Sequence, residues 1–437
     1  MKTCEVTLFP NENAAKPMRN ILGMNNSPRI NNHNRVALEK ERFDALTLKY
    51  VRHHDAAAEN PLFQLIDIHR IFPLFHLDEN DPKNYFFDQT DDYLSVLADS
   101  DIEIEFRLGE SIDHSGFSRL LQPIEDTDKW ARICRNIIAH YKNGEMNGMH
   151  LNVTRATVWE EPDVKDLACG GLEKYCEMFC SVYRTLKADF PEIRVGGPTI
   201  AVNYDFMDGF LAYCKEQGIT PDYVTHDVYT RSLKNLMGYS ERCRTLLDKY
   251  GFCDTTEIIT EFHLEPSNWR ATSMADYDGF FTSKSAAFSA SALIKLMDVD
   301  FLEVLYYYSW ATSVYSVGEP YQPGFILRPV YYGLLFFQKL AAQCAQRLRV
   351  DCSEPDNVQV LGGETADGKL RLLISCYDTE DFMFTCSVGS ASCKLYSVRP
   401  DYAETDAAQG EVLTANENGY ITFAHSGSGV YLLEMEV

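Results

Sequence analysis

Two short segments of the chain each place a glutamate directly after an apolar run that is typical of a buried strand. Glu161 follows the first run and Glu261 follows the second, 100 positions later. A carboxyl group at the end of a buried strand is unfavourable unless it has a partner or a use. Two such groups suit hydrolysis of a glycosidic bond. One protonates the leaving oxygen, and the other attacks the sugar or activates water.

The elements that must position these glutamates form a regular alternation. Strand-like segments lie at 20–24, 48–53, 102–108, 149–158, 193–198, 223–228, 257–262 and 301–309. Amphipathic helix-like segments lie at 35–46, 90–98, 127–141, 171–190, 204–216, 239–250, 274–297 and 329–342. Eight strand–helix units predict parallel strands that close into a (β/α)8 TIM barrel, an α/β fold. Glu161 then follows the fourth strand and Glu261 lies at the end of the seventh, so both are expected at the active face of the barrel.

The pattern changes after about residue 345. Short alternating segments separated by Gly, Asp, Asn and Ser predict an antiparallel β-sandwich. These segments lie at 358–361, 369–376, 382–386, 393–398, 419–423 and 429–434. We therefore expect a catalytic barrel over residues 15–345 and a sandwich domain over residues 346–437. Residues 1–14 are expected to add a strand to the sandwich.

Charge and cysteine content restrict the partners and the compartment. The formal net charge of −24 argues against nucleic acid and anionic membranes, because both are bound through basic patches. The 13 cysteines show no C-x-x-C pair and no zinc-ligand spacing, which favours a reducing compartment and no metal site. No run approaches 18 apolar residues, and the first residues do not resemble a cleaved signal. We expect a cytoplasmic protein without cofactor.

Seven motifs in order carry a resemblance to a known family. The two glutamate motifs are Trp159-Glu160-Glu161-Pro162 and Thr260-Glu261-Phe262, and the other five are residues 23–28, 50–55, 196–198, 225–229 and Trp310. The fourth- and seventh-strand motifs resemble those of the clan A retaining glycosidases. Their order is similar to that of glycoside hydrolase family 39, which includes β-xylosidases and α-L-iduronidases. The resemblance covers roughly residues 20–345.

The resemblance implies a role for each matching residue. Glu161 would be the general acid/base and Glu261 the nucleophile of a retaining exo-glycosidase of β-xylosidase type. The residues that would bind substrate are Glu160, Arg52, His54, His226, Tyr229 and Trp310. Arg52 and Tyr229 are the candidate donors that keep the nucleophile ionised. Trp310 would stack on the sugar, and the partner would be an oligosaccharide or glycoside.

Three departures from the family pattern affect these assignments. Glu160 stands where the family has Asn, so a side chain that only accepts hydrogen bonds when ionised replaces a donor. This change predicts altered recognition of position 2 of the sugar, or a preference for a cationic group there. Asp55 replaces a Gly. His226 and Tyr229 are separated by two residues instead of one, which makes Asp227 a rival polar contact.

Other functions stay open on the sequence alone. One is a catalytically silent, carbohydrate-binding barrel, in which Glu160 reflects a lost site. Another is a transglycosylase or phosphorylase on the same scaffold, which differs only in its acceptor. Glu160 acting as the acid is a further alternative. Members of the family often form oligomers, so a homo-oligomer is a possible state of this protein.

Overall fold

The computed structural model describes residues 1–28, 33–56, 64–111, 124–164, 170–310, 313–319 and 325–435. Strands and helices are numbered separately along the chain. The first strand, β1 (Lys2–Asn13), precedes a closed barrel of eight strands. The barrel strands are β2 (Leu22–Asn25), β3 (Tyr50–His53), β4 (Glu103–Leu108), β5 (Val153–Val158), β6 (Arg194–Ile200), β7 (Tyr223–Thr230), β8 (Thr256–Leu264) and β9 (Leu302–Tyr307).

All eight neighbouring strand pairs in the barrel are parallel, and the pair β2–β9 closes it. Each strand predicted from the sequence overlaps one of these strands, so the prediction of a (β/α)8 barrel is confirmed. The barrel interior below the site is filled by large side chains, as a packed barrel core requires. These side chains are Tyr50, Tyr223, Ile258, Val304 and Tyr306.

Helices surround the barrel. They are α1 (His33–Ala45), α2 (Ile68–Ile71), α3 (Asp88–Leu94), α4 (Thr127–Asn143), α5 (Leu172–Asp189), α6 (Tyr204–Glu216), α7 (Leu233–Tyr250), α8 (Ser283–Leu296) and α9 (Pro329–Ala341). Local sequence explains their ends. In α4 the Asp126 side chain accepts a hydrogen bond from the Lys129 N–H at the start, and Gly144 ends the helix with φ of 72°. None of the described helices combines the length and apolar character needed to cross a membrane.

Two helices differ from the predicted bounds. Helix α7 begins at Leu233, six residues before the prediction, because the Ser232 side chain accepts a hydrogen bond from the Asn235 N–H and caps it. The segment predicted as one helix over 274–297 contains a 3₁₀ turn, Met274–Tyr277, followed by α8. Thr282 caps α8 through its side chain, which accepts a hydrogen bond from the Lys284 N–H.

A second sheet of nine strands lies beside the barrel. It contains β1 and the strands β12 (Cys344–Cys352), β13 (Val358–Thr365), β14 (Leu370–Cys376), β15 (Phe382–Ser387), β16 (Ser392–Val398), β17 (Glu411–Thr414), β18 (Ile421–His425) and β19 (Gly429–Met435). Two short strands, β10 (Gly318–Glu319) and β11 (Ile326–Leu327), pair with each other, and α10 (Glu404–Ala408) follows β16. The order in the sheet is β17-β16-β19-β14-β13-β12-β1-β15-β18.

The second sheet is mostly antiparallel and folds over its own core. The pair β1–β15 is parallel, and its other pairs are antiparallel. Phe384 of β15 and Phe423 of β18 both contact Tyr431 of β19, so distant strands of the sheet face each other. The strand expected over residues 1–14 is β1, which pairs with β12 and β15 in this sheet. The predicted division at residues 345 and 346 stays a prediction, and it falls inside β12.

The second sheet packs on the barrel through alternate residues. Leu373 and Leu432 belong to the same core as the barrel and its helices, whereas their neighbours Leu372 and Leu433 face the core of the sheet. Period-two alternation in a strand gives this division. The Ser291 hydroxyl of α8 also donates a hydrogen bond of 2.9 Å to the Ser375 hydroxyl of β14. The sheet thus braces the side of the barrel formed by α8 and α9.

Candidate active site

The carboxyl ends of the barrel strands bring most of the predicted site residues together. Arg52 lies on β3, Glu160 and Glu161 follow β5, and Tyr229 and Glu261 lie on β7 and β8. Because these strands are parallel, their carboxyl ends open on the same face of the barrel. Strand β8 continues to Leu264, so the carboxyl group of Glu261 lies on the barrel wall and not at its rim.

The turn after β5 holds Trp159 and Glu161 in unusual backbone conformations. Trp159 and Glu161 have φ of 67° and 39°, a region that non-glycine residues rarely adopt. The Trp159 N–H donates to the Leu108 carbonyl at 3.0 Å, and the Glu161 N–H donates to the Thr199 carbonyl at 3.0 Å. Gly109 permits the close approach, because a Cβ there would lie 2.7 Å from Trp159 Cα. Strained conformations of this kind cluster at functional sites.

Arg52 is the central cation of the site. Its fully buried guanidinium pairs with the Glu160 carboxylate, and one of its nitrogens lies 3.8 Å from Glu261 Oε1. Asn25 orients it, because Asn25 Oδ1 accepts a hydrogen bond of 3.2 Å from Arg52. Burial alone would lower the pKa of Arg52, but the charges of Glu160 and the neighbouring carboxylates raise it above its usual range. The guanidinium is thus a fixed positive charge.

Glu261 is surrounded by groups that stabilise negative charge. The Tyr229 hydroxyl donates a hydrogen bond of 2.5 Å to Glu261 Oε2. The His54 Nε2 atom lies 3.0 Å from Glu261 Oε1. Together with Arg52, these groups suit a carboxylate that must be ionised to act as a nucleophile.

The charges around His54 favour its protonated form. Burial lowers the pKa of its ring, but the negative charges of Asp55 and Glu160 outweigh this effect and raise the pKa to about 10. The ring lies 3.2 Å from Asp55 Oδ2. Asp55 in turn accepts a hydrogen bond of 2.9 Å from the Tyr308 hydroxyl. His54 is therefore a second cation beside Glu261, and Asp55 and Tyr308 hold it in place.

Glu161 has the properties of a proton donor. Its side chain is half-buried and faces the cluster of acids. Burial and the negative charges of Glu261 and Glu160 raise the pKa of Glu161 well above its ordinary value. A carboxylic acid that keeps its proton near neutral pH suits general acid catalysis.

Glu160 faces into the cluster. It is 1% exposed, and its Oε2 atom pairs with Arg52. Burial raises the pKa of Glu160, while Arg52 opposes this effect. One ligand atom each of His54, Glu160 and Glu261 lie within 4.8 Å of one another. The side chain is thus an internal acid of the pocket.

Asp227, the rival contact raised by the sequence, also lies in the cluster. It pairs in register with Glu261 on the neighbouring strand. Burial and the charges of Glu261, Glu160 and Glu161 raise its pKa well above the ordinary value. The sequence indicated this placement, because Asp227 and Tyr229 are two positions apart and residues i and i+2 of a strand share a face.

The structure does not bring His226 into the cluster. Its ring lies on the outer side of β7, where Nδ1 is 3.0 Å from the Tyr204 hydroxyl and Nε2 is 2.7 Å from Glu257 Oε1. Alternate residues of a strand point to opposite faces, so inward Asp227 and Tyr229 require an outward His226. This placement gives His226 a role in attaching β7 to its helices, not in contacting sugar.

Trp310 is also outside the open part of the cluster. It is fully buried, with its ring stacked on Phe325 at 5.2 Å and edge-on to Phe43 at 5.0 Å. The backbone N–H of Trp310 donates a hydrogen bond of 2.9 Å to the Asn25 carbonyl. Trp310 therefore supports the segment that orients Arg52. Its ring is enclosed and does not form a stacking surface for sugar in this structure.

An exposed aromatic ring stands at the rim instead. Trp269 is 58% exposed, and its ring packs edge-on against Tyr229 at 5.1 Å. The Trp269 indole N–H donates a hydrogen bond of 3.1 Å to Glu265 Oε1. Glu265 and Trp269 both follow β8, the seventh strand of the barrel. In the sequence, this position indicated that they could shape the leaving-group side of the pocket.

Two groups of described side chains have the chemistry to ligate a metal ion. One is His54, Glu160 and Glu261, but the Arg52 guanidinium already neutralises Glu160 there. The other is His226, Cys243 and Glu257 behind the barrel wall, where Glu257 also accepts a hydrogen bond of 2.9 Å from the Ser240 hydroxyl. An acid/base reaction of two carboxyl groups needs no metal ion at either place. That the protein requires no metal stays a prediction.

Comparisons with known proteins bear on the family and the fold. The model of the family "Glycosyl hydrolases family 39" matches residues 16–266. A β-xylosidase from Geobacillus stearothermophilus is 24% identical over 211 residues, which cover 45% of this chain and 40% of that protein. The chain thus matches less than half the length of this relative.

Solved structures show the same fold over the whole chain. A glucosidase from Croceicoccus marinus has a TM-score of 0.76 at 20% identity, with 100% of both chains covered. A monomeric β-xylosidase from Caulobacter crescentus has a TM-score of 0.70 at 14% identity, with 100% of this chain and 99% of that chain covered. At these identities the likeness concerns the fold.

Proposed function

Because the chain belongs to glycosyl hydrolase family 39, we propose that it is a retaining exo-glycoside hydrolase of β-xylosidase type. It removes a terminal sugar from an oligosaccharide or glycoside by double displacement with Glu161 and Glu261. The observation that carries the proposal is the contrast between these two carboxyl groups. Glu261 has a hydroxyl donor and two cations at its oxygens, whereas Glu161 is half-buried with acids around it.

In the first step, Glu261 attacks the anomeric carbon and Glu161 gives its proton to the leaving oxygen. The bond between the anomeric carbon and that oxygen breaks, and a glycosyl ester forms on Glu261. The electron pair of the broken bond stays with the leaving oxygen, which takes the proton from Glu161 and departs as a neutral alcohol. Arg52 and the protonated His54 stay in place and compensate the changing charge around Glu261.

In the second step, Glu161 acts as a base. It has lost its proton, and it takes one from a water molecule that attacks the anomeric carbon. The ester bond to Glu261 breaks, and the sugar leaves with its original anomeric configuration. The Tyr229 hydroxyl donates to Glu261 Oε2, so it stabilises the carboxylate that departs in this step.

The acidic surroundings support a neutral or cationic sugar over a uronic acid. Glu160, Asp227 and Asp55 are buried next to the pair, and a uronate would add a further negative charge among them. The leaving group side would lie against Trp269, which is the exposed ring at the rim. We also propose that the protein is cytoplasmic and forms a homo-oligomer. The reaction described above depends on neither.

Azide rescue tests the two roles separately. In Glu261→Ala, azide is expected to replace the nucleophile and give a glycosyl azide of inverted configuration. In Glu161→Ala, azide is expected to attack the glycosyl ester and give a glycosyl azide of retained configuration. Both variants are expected to lose activity toward an aryl glycoside by at least about 10²–10⁴-fold without azide. The same product configuration from both variants would refute the proposed roles.

A further inference from the structure

Three carboxylate oxygens near Glu261 have no hydrogen-bond partner among the described residues. Both oxygens of Asp227 are of this kind, and Asp227 is only 6% exposed. The third is Glu160 Oε1, whose companion oxygen pairs with Arg52. A buried carboxylate without a partner is strongly unfavourable, so these oxygens are acceptors that await a donor.

These oxygens face the proposed reaction centre. Asp227 is paired in register with Glu261, and Tyr229, two residues along the same strand, reaches Glu261 with its hydroxyl. Residues two apart in a strand share a face, so Asp227 also faces the inside of the barrel. Glu160 and Glu261 have oxygens within 4.8 Å of each other. The anomeric carbon that meets Glu261 has two ring neighbours, the ring oxygen and C2. Only C2 carries a substituent that can donate hydrogen bonds, so we take the substituent on C2 as the group that these two acids would bind.

The number and charge of the acceptors match an ammonium group better than a hydroxyl group. Burial and the neighbouring acids raise the pKa of Asp227, and burial raises the pKa of Glu160. A cation beside them would favour their ionised forms, which only accept hydrogen bonds. A hydroxyl group offers a single proton, whereas an ammonium group offers three and a full positive charge. The described site contains the acids Asp55, Glu160, Glu161, Asp227 and Glu261 beside the cations Arg52 and His54. A cationic substituent would supply the missing donors and reduce the excess of acids.

We propose that this subsite binds a sugar that carries an ammonium group on C2, that is, a 2-amino-2-deoxy glycoside, through Asp227 and Glu160. The inference rests on the proposed function, because it uses Glu261 as the nucleophile to place the sugar. It adds a substrate class to that function. Asp227 and Glu160 are the residues that select this class, and neither takes part in bond breaking.

The test compares aryl glycosides that differ only at C2. Wild-type protein is given 4-nitrophenyl β-glycosides in matched sets with amino, hydroxyl and acetamido groups at C2, in the xylo, gluco and galacto series. The assay is run at about pH 6, where the amine is protonated. The amino member is expected to have a kcat/KM at least tenfold higher than the hydroxyl member, which corresponds to about 1.4 kcal/mol.

Variants attribute the preference to the subsite. Asp227→Asn is expected to remove most of the preference for the amino member over the hydroxyl member. Glu160→Gln is expected to reduce the same ratio. Asp300→Asn is the matched control, since it removes one negative charge from an exposed side chain and is expected to leave the ratio unchanged. If the buried variants fail to fold, the ratio in wild-type protein decides the question alone.

The outcomes separate the inference from the proposed function. Equal or faster hydrolysis of the hydroxyl member, or an acetamido member as good as the amino one, overturns the inference and leaves the hydrolase in place. If no glycoside is hydrolysed, the proposed function fails, and calorimetry with glucosamine and glucose then decides the inference. Tenfold tighter binding of glucosamine, lost in Asp227→Asn, supports it. Equal binding or no binding of the two sugars overturns it.

Discussion

The Tyr229 hydroxyl donates a 2.5 Å hydrogen bond to Glu261 Oε2, across the neighbouring strands β7 and β8. The other oxygen of Glu261 lies 3.0 Å from the protonated ring of His54. One oxygen of this carboxylate is thus hydrogen-bonded to a residue of β7, and the other faces the residue that follows β3. This arrangement fixes the orientation of the side chain before any sugar arrives, which is the condition for efficient attack on a bound substrate.

Removing the Tyr229 donor is expected to slow the reaction without unfolding the protein. A hydrogen bond to a charged group contributes about 1.5–3 kcal/mol, so Tyr229→Phe is expected to lower kcat/KM for an aryl glycoside about 10–100-fold. Tyr183→Phe is the matched control, because it deletes a hydroxyl that donates to the Thr220 carbonyl far from the site. Equal kinetics in Tyr229→Phe and wild type would contradict a role for this hydrogen bond.

The raised pKa of Glu161 predicts the alkaline limb of the pH profile. The acid works only while it is protonated, so kcat/KM falls as the pH rises through the pKa of Glu161. Burial raises this pKa first, and the charges of Glu261 and Glu160 add to the effect. Glu160→Gln removes one of these charges and is expected to move the alkaline limb to lower pH. A limb that stays in place or moves to higher pH would show that Glu160 does not act on Glu161 in this way.

The sequence was sufficient to predict the barrel. Its two glutamate motifs gave the candidate catalytic residues, whose roles stay a prediction. The strand segments are apolar and regularly spaced, and Glu161 and Glu261 interrupt them at matching places. Strand β12 was not predicted, because its sequence, Cys344–Cys352, is polar and mostly accessible along one face. Tertiary pairing with β1 and β13 stabilises it instead.

The direction of single side chains was harder to predict. His226 was expected at the sugar because residues 225–229 resemble a motif of the family. A separation of three positions along a strand, however, places His226 and Tyr229 on opposite faces. Trp310 was expected to stack on sugar, yet Phe43 and Phe325 enclose its ring. The pairing of Glu160 with Arg52 joins residues 108 positions apart, and only the closed barrel brings them together.

Arg52 and Glu160 are expected to depend on each other for stability. Breaking a buried ion pair by removing one partner costs about 3–5 kcal/mol of unfolding free energy, because the other charge is left without compensation. Arg52→Met and Glu160→Gln are each expected to destabilise the protein, and the double variant is expected to lose less than their sum. Urea denaturation of the four proteins measures this coupling. Additive effects would argue against a direct interaction.

Trp269 is expected to bind the leaving group. Its exposed ring next to Tyr229 offers a flat apolar face to a second sugar unit. Trp269→Ala is therefore expected to raise KM several-fold for a disaccharide and to change the kinetics of an aryl monosaccharide much less. Phe86→Ala, at a ring that is 56% exposed, is the matched surface control. A similar loss for both substrates would place Trp269 outside the leaving-group side.

The most direct test of the account is to locate the glycosyl ester. Glu161→Ala lacks the base for the second step, so a glycoside with a good leaving group, such as a 2,4-dinitrophenyl glycoside of the sugar that the wild type hydrolyses, is expected to accumulate as a covalent intermediate. Mass spectrometry of the protein should show the mass of one sugar residue, and peptide mapping should place it on Glu261. A label on Glu160 or another side chain, or continued turnover without any covalent sugar, would contradict the assignment of Glu261 as the nucleophile.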